Sequence, residues 1–243
     1  MNLITIGLTD CGRYENYERW IKDIPGIQTI KLSYHDKDFS VIDHCDGIVL
    51  TGGQDVHPRF YDKKEYLEFY RDKDMDINET RDEYEWKVME YSQGNKLPLL
   101  GICRGLQLAN VFFGGTLIPD IPASGKPDHS KIKEGDDRYH AIAVTTNSVL
   151  QKIAGTESGV VNSAHHQSAD IIAENLVVNA VSEDGVIEGL ERKEFYDHPY
   201  LMLVQWHPER MINQQSVFSR KVRESFLDAA ARYNETRHAN YEF

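Results

Sequence analysis

Cysteine is scarce in this chain of 243 residues, with only Cys11, Cys45 and Cys103. An odd, low count builds no disulfide framework and fits a reducing compartment. No Cys-x-x-Cys pair occurs and no Cys/His pair has metal-ligand spacing, so no metal is expected. Basic charge is also short. Lys and Arg number 27 against 39 Asp and Glu, a formal net charge of −12. Sequence-independent nucleic-acid binding and docking on anionic lipid both need a basic face, so neither partner is expected. Long apolar runs are missing as well. No stretch approaches the ~18 consecutive apolar residues of a membrane span. The apolar run near Met1 is a few residues long with no basic region before it, which reads as a buried strand rather than a signal peptide. The expected location is the cytoplasm.

What is present suffices for a packed core, because 40% of residues are hydrophobic and 10% aromatic. The length fits one large α/β domain or two small ones. Strands are expected at Leu3–Leu8, Thr29–Tyr34, Ile48–Thr51 and Leu97–Ile102. Helices are expected at Tyr14–Ile24, Arg81–Gln93 and Gly105–Phe113. This alternation argues for a parallel sheet with helices on both faces. The second half is richer in strands, at Ala141–Thr145, Leu176–Ser182, Val186–Glu191 and Tyr200–Gln205, and a helix over Gln214–Tyr233 follows. Two long loops, Asp55–Glu79 and Pro122–Arg138, read either as lids or as tolerated insertions. With no internal repeat and no Pro/Gly/Ser linker, residues 1–243 read as one domain.

The segment Leu99-Leu-Gly-Ile-Cys103-Arg-Gly-Leu-Gln107 carries the chemistry. A strand enters Gly-x-Cys-x-Gly and a helix leaves it. Small residues flanking the cysteine permit a sharp, strained turn that lifts the thiol above the sheet, as in a nucleophile elbow. The helix N-terminus favours thiolate, and the amide of Arg104 is a ready oxyanion donor. Most lone cysteines are inert core residues, and Cys11 and Cys45 are read that way. A cysteine nucleophile needs a base. His207 follows an apolar strand in Gln205-Trp-His-Pro-Glu209, with a carboxylate two residues on that can orient its second nitrogen. His207 alone reads as a loop histidine, and Glu209 alone as a solvated charge. Thr51-Gly-Gly-Gln-Asp55 ends another strand in two glycines, where the amide of Gly53 can approach a substrate oxygen. A Gly-Gly pair by itself marks any turn.

Taken in order, Gly101–Gln107, Thr51–Pro58, Arg81-Asp82 with Glu85, Val161–Gln167 and Trp206–Glu209 resemble the class I glutamine amidotransferase superfamily. They are most similar to its γ-glutamyl-γ-aminobutyrate hydrolase branch, the C26 family of cysteine peptidases. The resemblance implies a flavodoxin-like three-layer α/β sandwich with a mostly parallel central sheet and a nucleophile elbow. It implies a triad of Cys103, His207 and Glu209, and an oxyanion hole from Gly53 and Arg104. It further implies that Gln107, Asn162, Ser163, His165 and His166 bind substrate, with no metal or organic cofactor. Arg81, Asp82 and Glu85 are expected to brace a loop rather than do chemistry.

The activity so implied is hydrolysis of γ-glutamyl amide bonds in a small-molecule substrate, through a thioester on Cys103. Two alternatives stay open: a glutaminase subunit that delivers ammonia to a separate synthase partner, and a non-enzymatic binding module. A homodimer is a base-rate expectation only. Cys103 and His207 must meet in one site, so the domain cannot be divided between them.

Overall fold

A computed structural model describes residues 3–36, 38–62, 77–132, 135–194 and 198–239. Its centre is a nine-stranded mixed sheet. Five strands run parallel: β1 (Ile4–Thr9), β2 (Ile27–Leu32), β3 (Gly47–Leu50), β4 (Leu99–Ile102) and β11 (Leu201–Val204). They lie in the order β2-β1-β3-β4-β11. The sheet continues antiparallel through β10 (Ile187–Arg192), β9 (Leu176–Ser182), β6 (Arg138–Val144) and β7 (Ser158–Ser163). The short strands β5 (Leu117–Ile118) and β8 (Ser168–Ala169) pair separately.

The inner parallel strands β3, β4 and β11 are apolar on both faces because both faces are covered. Val49, Leu100, Ile102, Met202 and Val204 point toward α1 (Tyr14–Lys22) and α5 (Val217–Ala239), where they meet Tyr17, Trp20, Ile21, Val222 and Phe226. The alternate residues Ile48, Leu50, Leu99, Leu201 and Leu203 face α2 (Glu79–Gly94) and α3 (Arg104–Phe112). The chain therefore forms the three-layer α/β sandwich that the motif resemblance implies.

Some elements differ from the sequence reading. α2 begins at Glu79, because Asn78 caps it by accepting the amide of Arg81 at 3.0 Å. Its buried face carries Arg81, Asp82 and Glu85 as well as Val88 and Met89, so apolar periodicity understates its burial. Within the expected loop Pro122–Arg138, residues 122–124 form a 3-10 turn and Arg138 already starts β6. β7 and the short helix α4 (Val149–Ala154) lie where no element was expected. β7 is an edge strand whose first half is partly exposed, so it lacks an apolar run.

Candidate active site

Cys103 sits where β4 turns into α3, with φ 52° and ψ −105°. That backbone region is strained for a residue with a Cβ, at a cost of order 1–3 kcal/mol. The turn is held from both sides. The amide of Cys103 donates to the Val204 carbonyl of β11 at 2.7 Å, and its own carbonyl accepts the amide of Leu106 at 3.0 Å. The flanking glycines are required by contact rather than by φ. A Cβ on Gly101 would lie 2.9 Å from the Gly105 carbonyl and 2.6 Å from Leu203, and one on Gly105 would lie 2.3 Å from the Leu50 carbonyl oxygen. β4 and α3 pack backbone to backbone there, and the cysteine occupies the apex.

β11 pairs with β4 in parallel, with Val204 opposite Ile102. Two strand ends thus bring His207 and Cys103 to the same cavity wall, both beside Gly52. His207 Nδ1 lies 2.9 Å from Glu209 Oε1. Both residues are buried. The turn that carries them is pinned to α5: Trp206 Nε1 donates to the Phe218 carbonyl at 3.0 Å, and Ser219 Oγ donates to the Pro208 carbonyl at 2.7 Å. Burial opposes charge on His207. The Glu209 carboxylate and the Cys103 sulfur outweigh it and raise the imidazole to about 9.

The end of β3 forms the facing wall. The amide of Gly52 donates to the Tyr17 hydroxyl at 2.9 Å, and that hydroxyl lies 3.4 Å from His207 Nδ1. Gly53 has φ 152°, and a Cβ on it would lie 2.1 Å from Arg81 Nη1. The Arg81 guanidinium fills that space, donating to the Gly52 carbonyl at 3.0 Å and to Thr51 Oγ1 at 3.0 Å. Arg81 also pairs with Glu85 at 2.9 Å, while Arg104 pairs with Asp82 and Glu85. All four are buried. This closed quartet ties α2 to the start of α3 and to the end of β3, the bracing expected of Arg81, Asp82 and Glu85.

A cavity of about 360 Å³ opens above Cys103. Its wall includes Cys11, Tyr17, Gly52, Gly53, His207 and four cationic side chains, Arg13, Arg81, Lys131 and Arg210. Arg210 is paired with Asp137 at 2.8 Å and Arg81 with Glu85. Arg13 and Lys131 have no ion-pair partner among the described residues. Burial, then the neighbouring charges of Arg210 and Arg13, push the Lys131 ammonium below its usual value. The 55–79 segment carries further cations. Arg59 is paired with Glu79 and with Glu83 at 2.6 Å, and Lys63, Lys64, Arg71 and Lys73 lie outside the described residues. Cys11, read from sequence as core, is half-buried and lines the cavity, because it follows β1 at the carboxyl edge of the sheet.

The residues singled out for substrate binding are buried or half-buried and engaged with neighbours. Gln107 Nε2 donates to the Gln167 carbonyl at 3.0 Å. Asn162 Oδ1 accepts the amide of His207 at 3.1 Å. Ser163 Oγ donates to the His129 carbonyl at 2.8 Å, and His166 Nε2 lies 2.8 Å from Asp55 Oδ1. Of the 162–166 segment, Ala164 lines the cavity. His165 turns away into a buried group with His129, His140 and Glu188, whose ligand atoms all lie within 4.8 Å of one another. Sequence reading missed that group, since its members come from four separate segments. It also missed Tyr17, Arg13 and Lys131, whose surroundings carry no motif.

An α/β sandwich with a cysteine on a strand-to-helix turn at the carboxyl edge of the sheet is the fold of class I glutamine amidotransferases. The chain belongs to the Peptidase C26 family, whose model matches residues 14–209. A Schizosaccharomyces pombe protein assigned by name to the glutamine amidotransferases is 34% identical over 177 residues, 72% of this chain. The match spans 66% of that protein's own length. The γ-glutamyl-γ-aminobutyrate hydrolase PuuD of Escherichia coli is 28% identical over 192 residues, 76% of this chain and 71% of that one. Among solved structures, the Trypanosoma brucei CTPS glutaminase domain with bound acivicin superposes with TM-score 0.64 at 15% identity, covering 94% of both chains. A Thermotoga maritima glutamine amidotransferase superposes with TM-score 0.61 at 14% identity, covering 97% of this chain and 94% of that one. At such identities the likeness shows the fold alone. Among the described residues, no helix is long and apolar enough to cross a membrane.

Proposed function

We propose that this chain hydrolyses γ-glutamyl amide bonds through a thioester on Cys103. The observation that carries the reading is Cys103 and His207 on one cavity wall, with Glu209 on the imidazole and unpaired cations around them. Cys103 Sγ, as thiolate, attacks the δ-carbonyl carbon. The new oxyanion accepts hydrogen bonds from the amides of Gly53 and Arg104. His207, charged at neutral pH and oriented by Glu209, gives its proton to the amine as the C–N bond breaks. The amine leaves and water enters. His207 takes a proton from the water as it attacks the thioester, the C–S bond breaks, and glutamate departs. Lys131 and Arg13 offer counter-charges for the carboxylate of the glutamyl group. The name of the PuuD relative supports a γ-glutamyl amine as substrate.

The test is glutamate release from a panel that includes γ-glutamyl-γ-aminobutyrate, other γ-glutamyl amines and glutamine. Expected is turnover of γ-glutamyl amines, lost by at least about 10³-fold in Cys103→Ala with folding intact. Full activity in that variant, or no turnover of any amide by the parent chain, overturns the proposal. Turnover confined to glutamine transfers it to the ammonia-delivering glutaminase reading.

A further inference from the structure

Three histidines and one carboxylate converge away from the cavity, inside the antiparallel half of the sheet. His129 comes from the segment before β6, His140 from β6, His165 from just after β7 and Glu188 from β10. Glu188 is fully buried, and His129 and His165 nearly so. His129 Nδ1 and His140 Nε2 each lie 3.3 Å from Glu188 Oε1, and His165 Nε2 lies 3.5 Å from it. Those three nitrogens and both Glu188 oxygens have no hydrogen bond. A charge-assisted hydrogen bond to a carboxylate runs about 2.7–2.9 Å, so the spacing is too long for that.

The outward nitrogens explain the inward ones. His129 Nε2 faces Asp184 Oδ2 at 3.1 Å. His140 Nδ1 faces the Ala141 carbonyl at 3.2 Å, and His165 Nδ1 faces the Gln167 carbonyl at 2.9 Å. All three partners are acceptors, so each outward nitrogen carries the proton. In the neutral tautomer three lone pairs then aim at a carboxylate oxygen inside the protein. Such a cluster is repulsive unless a cation joins it. Metal-ligating histidines are held by this same outward bond to a carboxylate or a backbone carbonyl. Zinc binds imidazole nitrogen and carboxylate oxygen at about 2.0–2.2 Å, and a tetrahedron of that radius has edges of about 3.3–3.6 Å. The contacts to Glu188 match that edge.

We propose that His129, His140, His165 and Glu188 form a closed, structural zinc site. Four protein ligands leave no open position, and the buried setting keeps substrate away, so the ion holds structure rather than doing chemistry. It joins β10 to β6 across β9 and clamps the 129 and 165 segments onto them. The site reaches toward His207 through the neighbouring strand. The Glu188 backbone carbonyl accepts the amide of Gln205 at 2.8 Å, and the Gln167 carbonyl that orients His165 also holds Gln107.

The experiment uses the full chain, stripped with a chelator, dialysed and titrated with zinc sulfate, with bound metal measured by plasma mass spectrometry. One zinc per chain is expected in the parent chain and in Cys103→Ala, with a melting temperature that falls on chelation and returns with zinc. His140→Ala, which changes the most exposed ligand, and His165→Gln should lose the stoichiometric zinc. Asp184→Asn should weaken binding about 10–100-fold. If either ligand variant fails to fold, cobalt(II) substitution of the parent chain decides: tetrahedral d–d bands without a thiolate charge-transfer band are expected. No stoichiometric zinc in the parent chain, zinc kept by His140→Ala and His165→Gln, zinc lost in Cys103→Ala, or a thiolate band each overturns the proposal.

Discussion

Asn162 bridges two walls of the site: its Oδ1 accepts the backbone amide of His207 at 3.1 Å, and its Nδ2 donates to Asp137 Oδ2 at 2.8 Å. Asp137 in turn holds Arg210, which lines the cavity. Asn162 therefore braces the backbone of His207 and is not among the residues lining the cavity. Asn162→Ala removes a buried acceptor and should destabilise the fold by about 1–3 kcal/mol. Its kcat should fall while KM changes little, which steady-state kinetics alongside thermal melting would check. An effect on KM alone would return Asn162 to substrate binding.

The raised imidazole of His207 sets an alkaline limit. Because its folded value is about 9 against an ordinary value near 6.5, the charged form and its ion pairs are fully present below about 6.5. Their contribution fades as pH rises through about 9. In the proposed mechanism the imidazolium protonates the leaving amine, so activity should follow. The kcat/KM profile is expected to fall on that limb. Glu209→Gln removes a carboxylate that supports the charge, so its limb should move to lower pH.

Lys131 and Arg13 are the cavity cations without an ion-pair partner among the described residues. If they meet the substrate carboxylate, Lys131→Ala should raise KM about tenfold and leave kcat within a few-fold, as expected for loss of uniform binding. A neutral substrate analogue lacking that carboxylate should be indifferent to the change. Equal losses with both substrates would remove Lys131 from this role.

The quartet of Arg81, Asp82, Glu85 and Arg104 balances two charges of each sign in the interior. Glu85 is held below its ordinary value because Arg104 and Arg81 outweigh its burial, whereas burial wins for Asp82 and raises it. Breaking the set strands a charge. Arg104→Met should cost about 3–5 kcal/mol in chemical denaturation. Arg104→Met combined with Glu85→Gln should cost less than the sum of the two single changes.

The inner parallel strands were legible because they are buried on both faces and read as unbroken apolar runs, Leu99 to Ile102 being the clearest. β7 was not, since Ser158 to Val160 face outward at the edge of the sheet. Cys103, His207 and Glu209 stood out because their neighbours, Gly101, Gly105 and Pro208, mark sharp turns. Arg13 and Lys131 could not, because what places them in the cavity is the meeting of two loops far apart in sequence. Tyr17 looked like one more apolar contact of an amphipathic helix, and nothing local told of its hydroxyl beside Gly52 and His207.

β11 follows both of its neighbours in the sequence, yet it lies between β4 and β10 in the sheet. A chain emerging from the ribosome therefore holds that slot open until residue 204 has left it. Until Leu201–Val204 are inserted, β4 and β10 each present an unpaired edge, the kind that recruits other chains. The same insertion brings His207 to the cavity wall that holds Cys103. Completing the sheet and joining the two halves of the cavity wall are one event, closed by Leu201–Val204, and long-range pairing of this kind is slow.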